Sequence, residues 1–75
     1  MKKPNLIERV LIVCRRNKRC SRVLIISWFK IATSTAYAVW SYLRGACIEG
    51  LLDTEVSKCV YDDEKDEIRF EEVRT

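Results

Sequence analysis

Apolar side chains in the first part of the chain recur at helical spacing. They occupy positions 6, 7, 10, 11, 13 and 14, so the apolar surface of the helix extends beyond a single face. Asn5 followed by Glu8 is typical of an N-cap, so we predict a helix over 6–16. Its apolar arc exceeds what one packed contact needs, and we therefore expect a homodimer. The expected dimer interface consists of Leu6, Ile7, Val10, Leu11 and Cys14.

Two further helices are predicted after a polar connection at 17–19. Ser21 is a suitable cap for a helix over 21–32, although the β-branched residues at 23, 25 and 26 also suit a short strand. Three hydroxyl residues at 33–35 favour a cap or turn. The third helix is predicted over 34–48, where Val39, Leu43, Ala46 and Cys47 recur at spacings of three and four. Gly50 should end it in the left-handed conformation.

After residue 53 the apolar period changes from helical to alternating. Residues 54–61 and 67–73 alternate around a polar centre at 62–66, which predicts a β-hairpin over 54–73. A two-stranded ribbon is not stable alone. We therefore expect it to pack on the helices through Val60, Ile68 and Phe70.

The apolar stretch at 23–43 is long enough to span a bilayer as a helix. Lys30 inside it would cost about 2.5 to 3.5 kcal/mol. Hydroxyl residues also cluster in it as they do in turns. Both features disfavour a membrane partner, and a small single-pass membrane protein is kept only as an alternative.

Length and composition limit the possible functions. A chain of 75 residues with 48% apolar side chains, two Gly and one Pro suits one compact domain over 1–75. It has no His and no recognisable nucleophile motif, so we expect no enzyme, no catalytic residue, no cofactor and no small-molecule substrate.

Charge is divided unevenly between the two parts of the chain. Residues 1–30 carry nine basic side chains and one acidic one, a net charge of +8, whereas residues 31–75 carry five basic and ten acidic ones, a net charge of −5. A basic segment of this kind favours binding to nucleic acid or to an anionic surface. The same charges are also compatible with a merely solvated face.

The four cysteines, at 14, 20, 47 and 59, lack the paired C-x2-C spacing of a structural zinc site, so no metal is expected. No signal-peptide pattern precedes them, which favours a cytoplasmic location and buried thiols. Disulfides stay open, because one bridge would suit so small a core and intracellular proteins of hyperthermophiles form them.

An ordered set of residues over 21–73 resembles the winged helix-turn-helix of small transcription regulators. The set is Trp28-Phe29-Lys30-Ile31-Ala32, Thr33-Ser34-Thr35, Val39, Leu43 and Gly50-Leu51-Leu52. The resemblance implies an α+β fold with three helices followed by a C-terminal hairpin wing. Stand-alone chains this short are similar to regulators of archaeal viruses and plasmids, which would place the protein in the host cytoplasm. Thr33 stands at the turn position where the family usually has Gly.

This resemblance implies sequence-specific binding of double-stranded DNA, with the third helix in the major groove. If Val39 and Leu43 face the core, then Thr35, Ala36, Tyr37, Trp40, Ser41 and Arg44 lie on other faces. Core or dimer packing stays open for Tyr37, Trp40 and Tyr42. The expected base-reading residues are Thr35, Tyr37, Ser41 and Arg44, and Arg44 is the sharpest of them because it can bond two acceptors on guanine. The expected phosphate contacts are Arg15, Arg16, Lys18, Arg19, Arg22, Lys30, Ser34 and Lys65.

The acidic residues at 62, 63, 64 and 66 depart from the family, whose wing often presents Lys or Arg. Like charge near the duplex would be repelled, which leaves Lys65 as the only wing contact expected. The alternative from another class is a protein-interaction module or inhibitor that uses the same fold and binds a basic partner through its acidic hairpin.

Overall fold

A computed structural model describes residues 5–73, so Lys2, Lys3 and Pro4 of the basic segment lie outside the described residues. The elements in chain order are α1 (Leu6–Asn17), β1 (Arg19–Ser21), α2 (Arg22–Phe29), α3 (Thr33–Ile48), β2 (Ser57–Asp62) and β3 (Glu67–Glu72). The strands form one antiparallel sheet in the order β1-β3-β2. The predicted α+β class is confirmed, and the core lies between the three helices and one face of this sheet.

Helix α1 begins as predicted. The backbone N–H of Glu8 donates to Asn5 Oδ1 at 2.8 Å, which satisfies one of the unpaired donors of the first turn. Val10 and Cys14 of α1 are fully buried within one chain, so the prediction that they lie in a dimer interface is wrong. Leu6, Ile7 and Leu11 are half-buried against the core.

A short strand replaces most of the connection predicted at 17–19. Residues Arg19–Ser21 form β1, in which Cys20 lies opposite Ile68 of β3 and is fully buried. Lys18, at φ 62°, turns the chain from α1 into this strand. The β1 residues therefore serve as the third strand of the sheet.

Helix α2 is shorter than predicted. Ser21 caps it as expected, since its Oγ accepts the backbone N–H of Leu24 at 3.2 Å. The helix ends at Phe29 because Lys30 adopts a left-handed conformation, φ 50°, while its N–H donates to the Ile26 carbonyl at 2.8 Å. Lys30 and not Thr33 thus holds the special turn geometry.

The apolar stretch at 23–43 is therefore divided between two helices. Residues 30–32 separate α2 from α3, and no helix within 5–73 has the length and apolar character needed to cross a bilayer. Helix α3 begins at Thr33 with Ala32 as its N-cap and no side-chain capping bond. The expectation that a hydroxyl at 33–35 caps this helix is wrong.

Helix α3 supplies the centre of the core. Val39, Leu43, Ala46 and Cys47 are buried as predicted, and so are Ala36 and Trp40. The expectation that Ala36 and Trp40 lie on faces other than the core face is wrong, because the helix packs against α1, α2 and the sheet along a wide arc. The open question on Trp40 is thereby settled in favour of core packing.

Gly50 ends α3 in the left-handed conformation as predicted, with φ 79°. The N–H of Leu51 donates to the Ala46 carbonyl at 2.9 Å, and that of Gly50 to the Cys47 carbonyl at 3.1 Å. These are the two bonds of a Schellman motif, which satisfies the last carbonyls of a helix.

The hairpin packs through Ile68 and Phe70 of β3 as predicted. Strand β2, however, turns the opposite face to the core from the one predicted. Cys59 lies opposite Phe70 and is buried, whereas Val60 lies opposite the exposed Arg69 on the outer face. Because successive strand residues point to opposite faces, Val60 cannot share the core with Phe70. Cys59 takes the predicted place of Val60.

Two disulfides replace the buried thiols that we expected. Cys14 bonds Cys20, with their Cα atoms 5.1 Å apart, and Cys47 bonds Cys59, with Cα atoms 5.4 Å apart. The first bridge connects α1 to β1, and the second connects the end of α3 to β2. Within residues 5–73 no group of three or more His, Cys, Asp or Glu side chains is placed to hold a metal ion.

Candidate nucleic-acid interface

One exposed side of α3 carries three of the four residues predicted to read bases. Tyr37, Ser41 and Arg44 follow each other at spacings of four and three, so they share a helix face. Tyr37 is 54% exposed, and Ser41 and Arg44 are half-buried. Thr35 is exposed but lies two residues before Tyr37, a rotation of about 200° around the helix. The structure therefore does not bring Thr35 together with the other three.

Arg44 meets the hairpin through one of its acidic turn residues, a contact that the sequence did not predict. Its Nη1 lies 4.0 Å from Oδ1 of Asp66. The hydroxyl of Tyr61 in β2 donates to the same oxygen at 2.7 Å. One carboxylate oxygen thus contacts both a side chain of α3 and a side chain of the hairpin.

This hydrogen bond affects the acidity of Tyr61. Asp66 accepts a hydrogen bond from the phenol and thereby raises the pKa of Tyr61 above its ordinary value of 10.0, while Arg44 acts in the opposite direction. The neutral phenol is therefore the form that the folded chain favours. Tyr61 and Asp66 are five residues apart and flank the hairpin turn. This spacing predicts their hydrogen bond only if the position of the turn is already known.

Arg22 extends the exposed surface toward α2. Its guanidinium carbon lies 5.9 Å from the centroid of the Tyr37 ring, within the range of a cation–π contact. Arg22 and Lys65 also line one shallow cavity of about 190 Å³ beside Asp66. We call the surface formed by Arg22, Tyr37, Ser41, Arg44 and Lys65 the α3–hairpin surface.

The turn that presents Lys65 is held by backbone contacts to an acidic side chain. Asp62 Oδ1 accepts the N–H groups of Glu64 and Lys65 at 3.1 and 3.2 Å. Asp66 completes the turn in a left-handed conformation with φ 51°. The turn thus places one exposed Lys among acidic residues that are themselves partly engaged within the hairpin.

Two more residues predicted to contact phosphates lie at the start of α3. Lys30 and Ser34 are exposed on either side of the first residue of this helix. The N-terminal end of a helix carries a partial positive charge, and here no side chain caps it. Lys30, Ser34 and this helix end together form a second positively polarised location.

Arg15 has a role inside the fold that the sequence did not indicate. Its Nη2 donates to the Leu52 carbonyl at 2.9 Å, and its guanidinium lies 5.0 Å from the centroid of Phe70. The side chain therefore connects α1 to the segment after α3 and to β3. These contacts give Arg15 a role in the fold, and its contact to phosphate stays a prediction.

The remaining predicted phosphate contacts lie at the end of α1 and along β1. Arg16 is exposed, Lys18 Nζ lies 3.7 Å from Glu72 Oε1, and Arg19 Nη2 lies 3.6 Å from Glu67 Oε2. Solvent-exposed ion pairs of this kind contribute about 0 to 1 kcal/mol. They reduce the net positive charge of this region without preventing Lys18 or Arg19 from contacting another anion.

The α3–hairpin surface thus consists of one exposed polar side of α3, bordered by Arg22 of α2 and by Lys65 of the hairpin turn. Comparison of the chain with protein-family models, with curated proteins and with solved structures found no match.

Proposed function

We propose that the chain folds as a winged helix and binds double-stranded DNA, with α3 in the major groove and the β2–β3 hairpin as the wing. The observation that carries this proposal is the α3–hairpin surface. It combines Tyr37, Ser41 and Arg44 on one exposed helix face with the cations of Arg22 and Lys65 at its border.

The chemistry of the three α3 side chains suits base edges. An Arg can donate two hydrogen bonds to O6 and N7 of guanine, and Ser donates to or accepts from any base. The Tyr37 ring adds apolar area that suits a thymine methyl group. Such contacts distinguish sequences, whereas contacts to phosphate do not.

The cations around this face suit the DNA backbone. Arg22 and Lys65 border one side, and Lys30 with Ser34 lies at the start of the helix. Phosphates attract these groups at any sequence, and counterion release makes that attraction depend on salt. Arg16, Lys18 and Arg19 extend the basic region from the end of α1.

We further propose that the protein acts as a homodimer. Ile12 on α1 is 51% exposed, and the neighbouring Leu11 is only half-buried. Packing of these side chains against a second copy of α1 would remove their apolar surface from water. A two-fold dimer would place two copies of α3 on two half-sites of an operator.

The test compares two classes of variant on two classes of DNA. A preferred duplex is first selected from a random pool with the unmodified protein, and dissociation constants are then measured on that duplex and on random duplex. Arg44→Ala should cost roughly 1 to 3 kcal/mol on the preferred duplex and much less on random duplex. Arg22→Ala or Arg16→Ala should weaken both alike and reduce the salt slope by about one.

Arg9→Ala is the matched control. Arg9 is exposed on the opposite end of α1 from Arg16, and we expect its removal to leave the base preference unchanged. If Arg44→Ala retains full preference, α3 does not read bases. If the unmodified protein binds no duplex even at low salt, the protein-interaction alternative replaces the proposal.

A further inference from the structure

Asp66 occupies a position from which it can control where Arg44 points. It is the last residue of the turn before β3, in a left-handed backbone conformation. Its Oδ1 accepts the Tyr61 hydroxyl at 2.7 Å and lies 4.0 Å from Arg44 Nη1. Tyr61 thus fixes the carboxylate, and the carboxylate faces the guanidinium.

We propose that Asp66 is a positioning residue that orients Arg44 for base recognition, so that the hairpin sets the base preference of α3 without itself reading DNA. This inference rests on the proposed function. It assigns to the acidic turn a role different from phosphate binding, which its charge opposes.

The physical reason is the freedom of an unrestrained arginine. An Arg side chain loses rotamer entropy when it is held in one conformation, and Arg44 is half-exposed on α3. An ion pair to a fixed carboxylate restricts the guanidinium before DNA arrives, so less entropy is lost on binding. Because the guanidinium has five N–H donors, one contact to Asp66 leaves others for guanine.

The Arg44–Asp66 pair also acts differently on the affinity for any duplex and on the preference between sequences. Asp66 offsets the charge of Arg44, so Arg44 adds little attraction to phosphates in general. Removing the carboxylate should therefore raise affinity for any duplex while lowering discrimination between sequences. A purely structural role of Asp66 would instead lower both, because a disturbed fold binds all DNA less well.

Asp66→Asn is the variant that isolates the charge. Asn tolerates the left-handed conformation as Asp does, and its amide oxygen can still accept the Tyr61 hydroxyl. Tyr61→Phe isolates the positioning, since it removes the hydrogen bond to Asp66 and keeps the carboxylate charge. Asp63→Asn is the matched control, because Asp63 is exposed in the same turn and has no contact to Arg44 in the described structure.

The readout is the ratio of dissociation constants for random duplex and for the duplex selected with the unmodified protein. We expect Asp66→Asn and Tyr61→Phe to lower this ratio roughly two- to fivefold, the range of an exposed ion pair. Asp66→Asn and Asp63→Asn should both tighten binding to random duplex, whereas Tyr61→Phe should not. In an Arg44→Ala background, Asp66→Asn should no longer change the ratio.

Four results would overturn the inference. An unchanged ratio in Asp66→Asn removes the positioning role while leaving DNA binding intact. An equal loss of the ratio in Asp63→Asn shows that charge alone acts. If the unmodified protein binds all duplexes equally, this inference is overturned. If it binds no duplex at all, both this inference and the proposed function are overturned.

Discussion

Loss of the Cys47–Cys59 bridge should destabilise the protein more than loss of the Cys14–Cys20 bridge. Both cystines are buried, but they close loops of different length, with sequence separations of 12 and 6. A cross-link stabilises mainly by restricting the unfolded chain, and the effect grows with the logarithm of loop length. This relation gives about 3 kcal/mol for the longer loop and about 2 kcal/mol for the shorter one at 25 °C.

These values are large for so small a protein. A chain of 75 residues has a free energy of unfolding of roughly 4 to 11 kcal/mol. A loss of about 3 kcal/mol corresponds to a fall in Tm of roughly 12 to 24 °C in a domain of this size. Loss of both bridges would remove half or more of the stability.

The assay is guanidinium denaturation of the unmodified protein and of two double variants, Cys14→Ala/Cys20→Ala and Cys47→Ala/Cys59→Ala. Unmodified protein kept reduced is the matched control, because it loses the bridges and retains the sulfur atoms. Intact mass establishes the number of bridges in each sample. Equal midpoints for oxidised and reduced protein, or a larger loss for the shorter loop, would refute the reasoning from loop entropy.

Three other outcomes are expected. Denaturation should show that Trp40→Ala lowers the free energy of unfolding by about 3 to 5 kcal/mol. Trp40→Phe should lower it by much less, because the buried indole N–H has no acceptor in the described structure and its removal breaks no hydrogen bond. Asp66 raises the pKa of Tyr61, so the neutral phenol adds to the free energy of unfolding below pH 10, and this contribution is lost as pH rises through the folded pKa. Tyr61→Phe should remove this loss in denaturation curves measured at increasing pH. Sedimentation should report a dimer that Ile12→Asp dissociates and that Asp63→Asn, an exposed change in the hairpin turn, leaves intact.

The helices could be predicted because their signals are local. Asn5 and Ser21 cap helices as expected, and Gly50 ends α3. Each of these signals depends on backbone groups within a few residues. The boundary of α2 was less predictable, because no feature of Lys30 marks it as a left-handed residue.

The sheet was less predictable because its signals are not local. Strand β1 has three residues, too few to show an alternating pattern, and its partner Ile68 lies 48 residues after Cys20. In β2 the apolar alternation through Val60 suggested the wrong face, and a shift of one residue reverses every side chain of a strand. The expected burial of Cys59 was incompatible with core packing of its neighbour Val60, and giving Cys59 precedence would have placed the strand on the observed face.

The same distinction between local and non-local signals applies to the candidate site. The prediction grouped Thr35 with Tyr37, Ser41 and Arg44, although helical spacing alone places only the last three on one face. The contacts of Arg44 with Asp66 and of Arg22 with Tyr37 join elements that are distant in sequence, and they depend on how the hairpin and α2 pack on α3. Arg15 was assigned to phosphate for a related reason, since its charge is visible in the sequence and its bond to the Leu52 carbonyl is not.

The acidic turn next to α3 is compatible with DNA binding if affinity and preference come from different residues. Carboxylates near a duplex weaken binding to all sequences by a similar amount, so they do not change the ranking of sequences. Cations at the start of α3, in α2 and at the end of α1 offset that loss without reading bases. Arg44 then contributes most where guanine offers two acceptors, because Asp66 has already offset its general attraction for phosphate. In this arrangement the acidic turn lowers the affinity for every sequence to a similar extent, and the preference for one sequence comes from Arg44 in the orientation that Asp66 gives it.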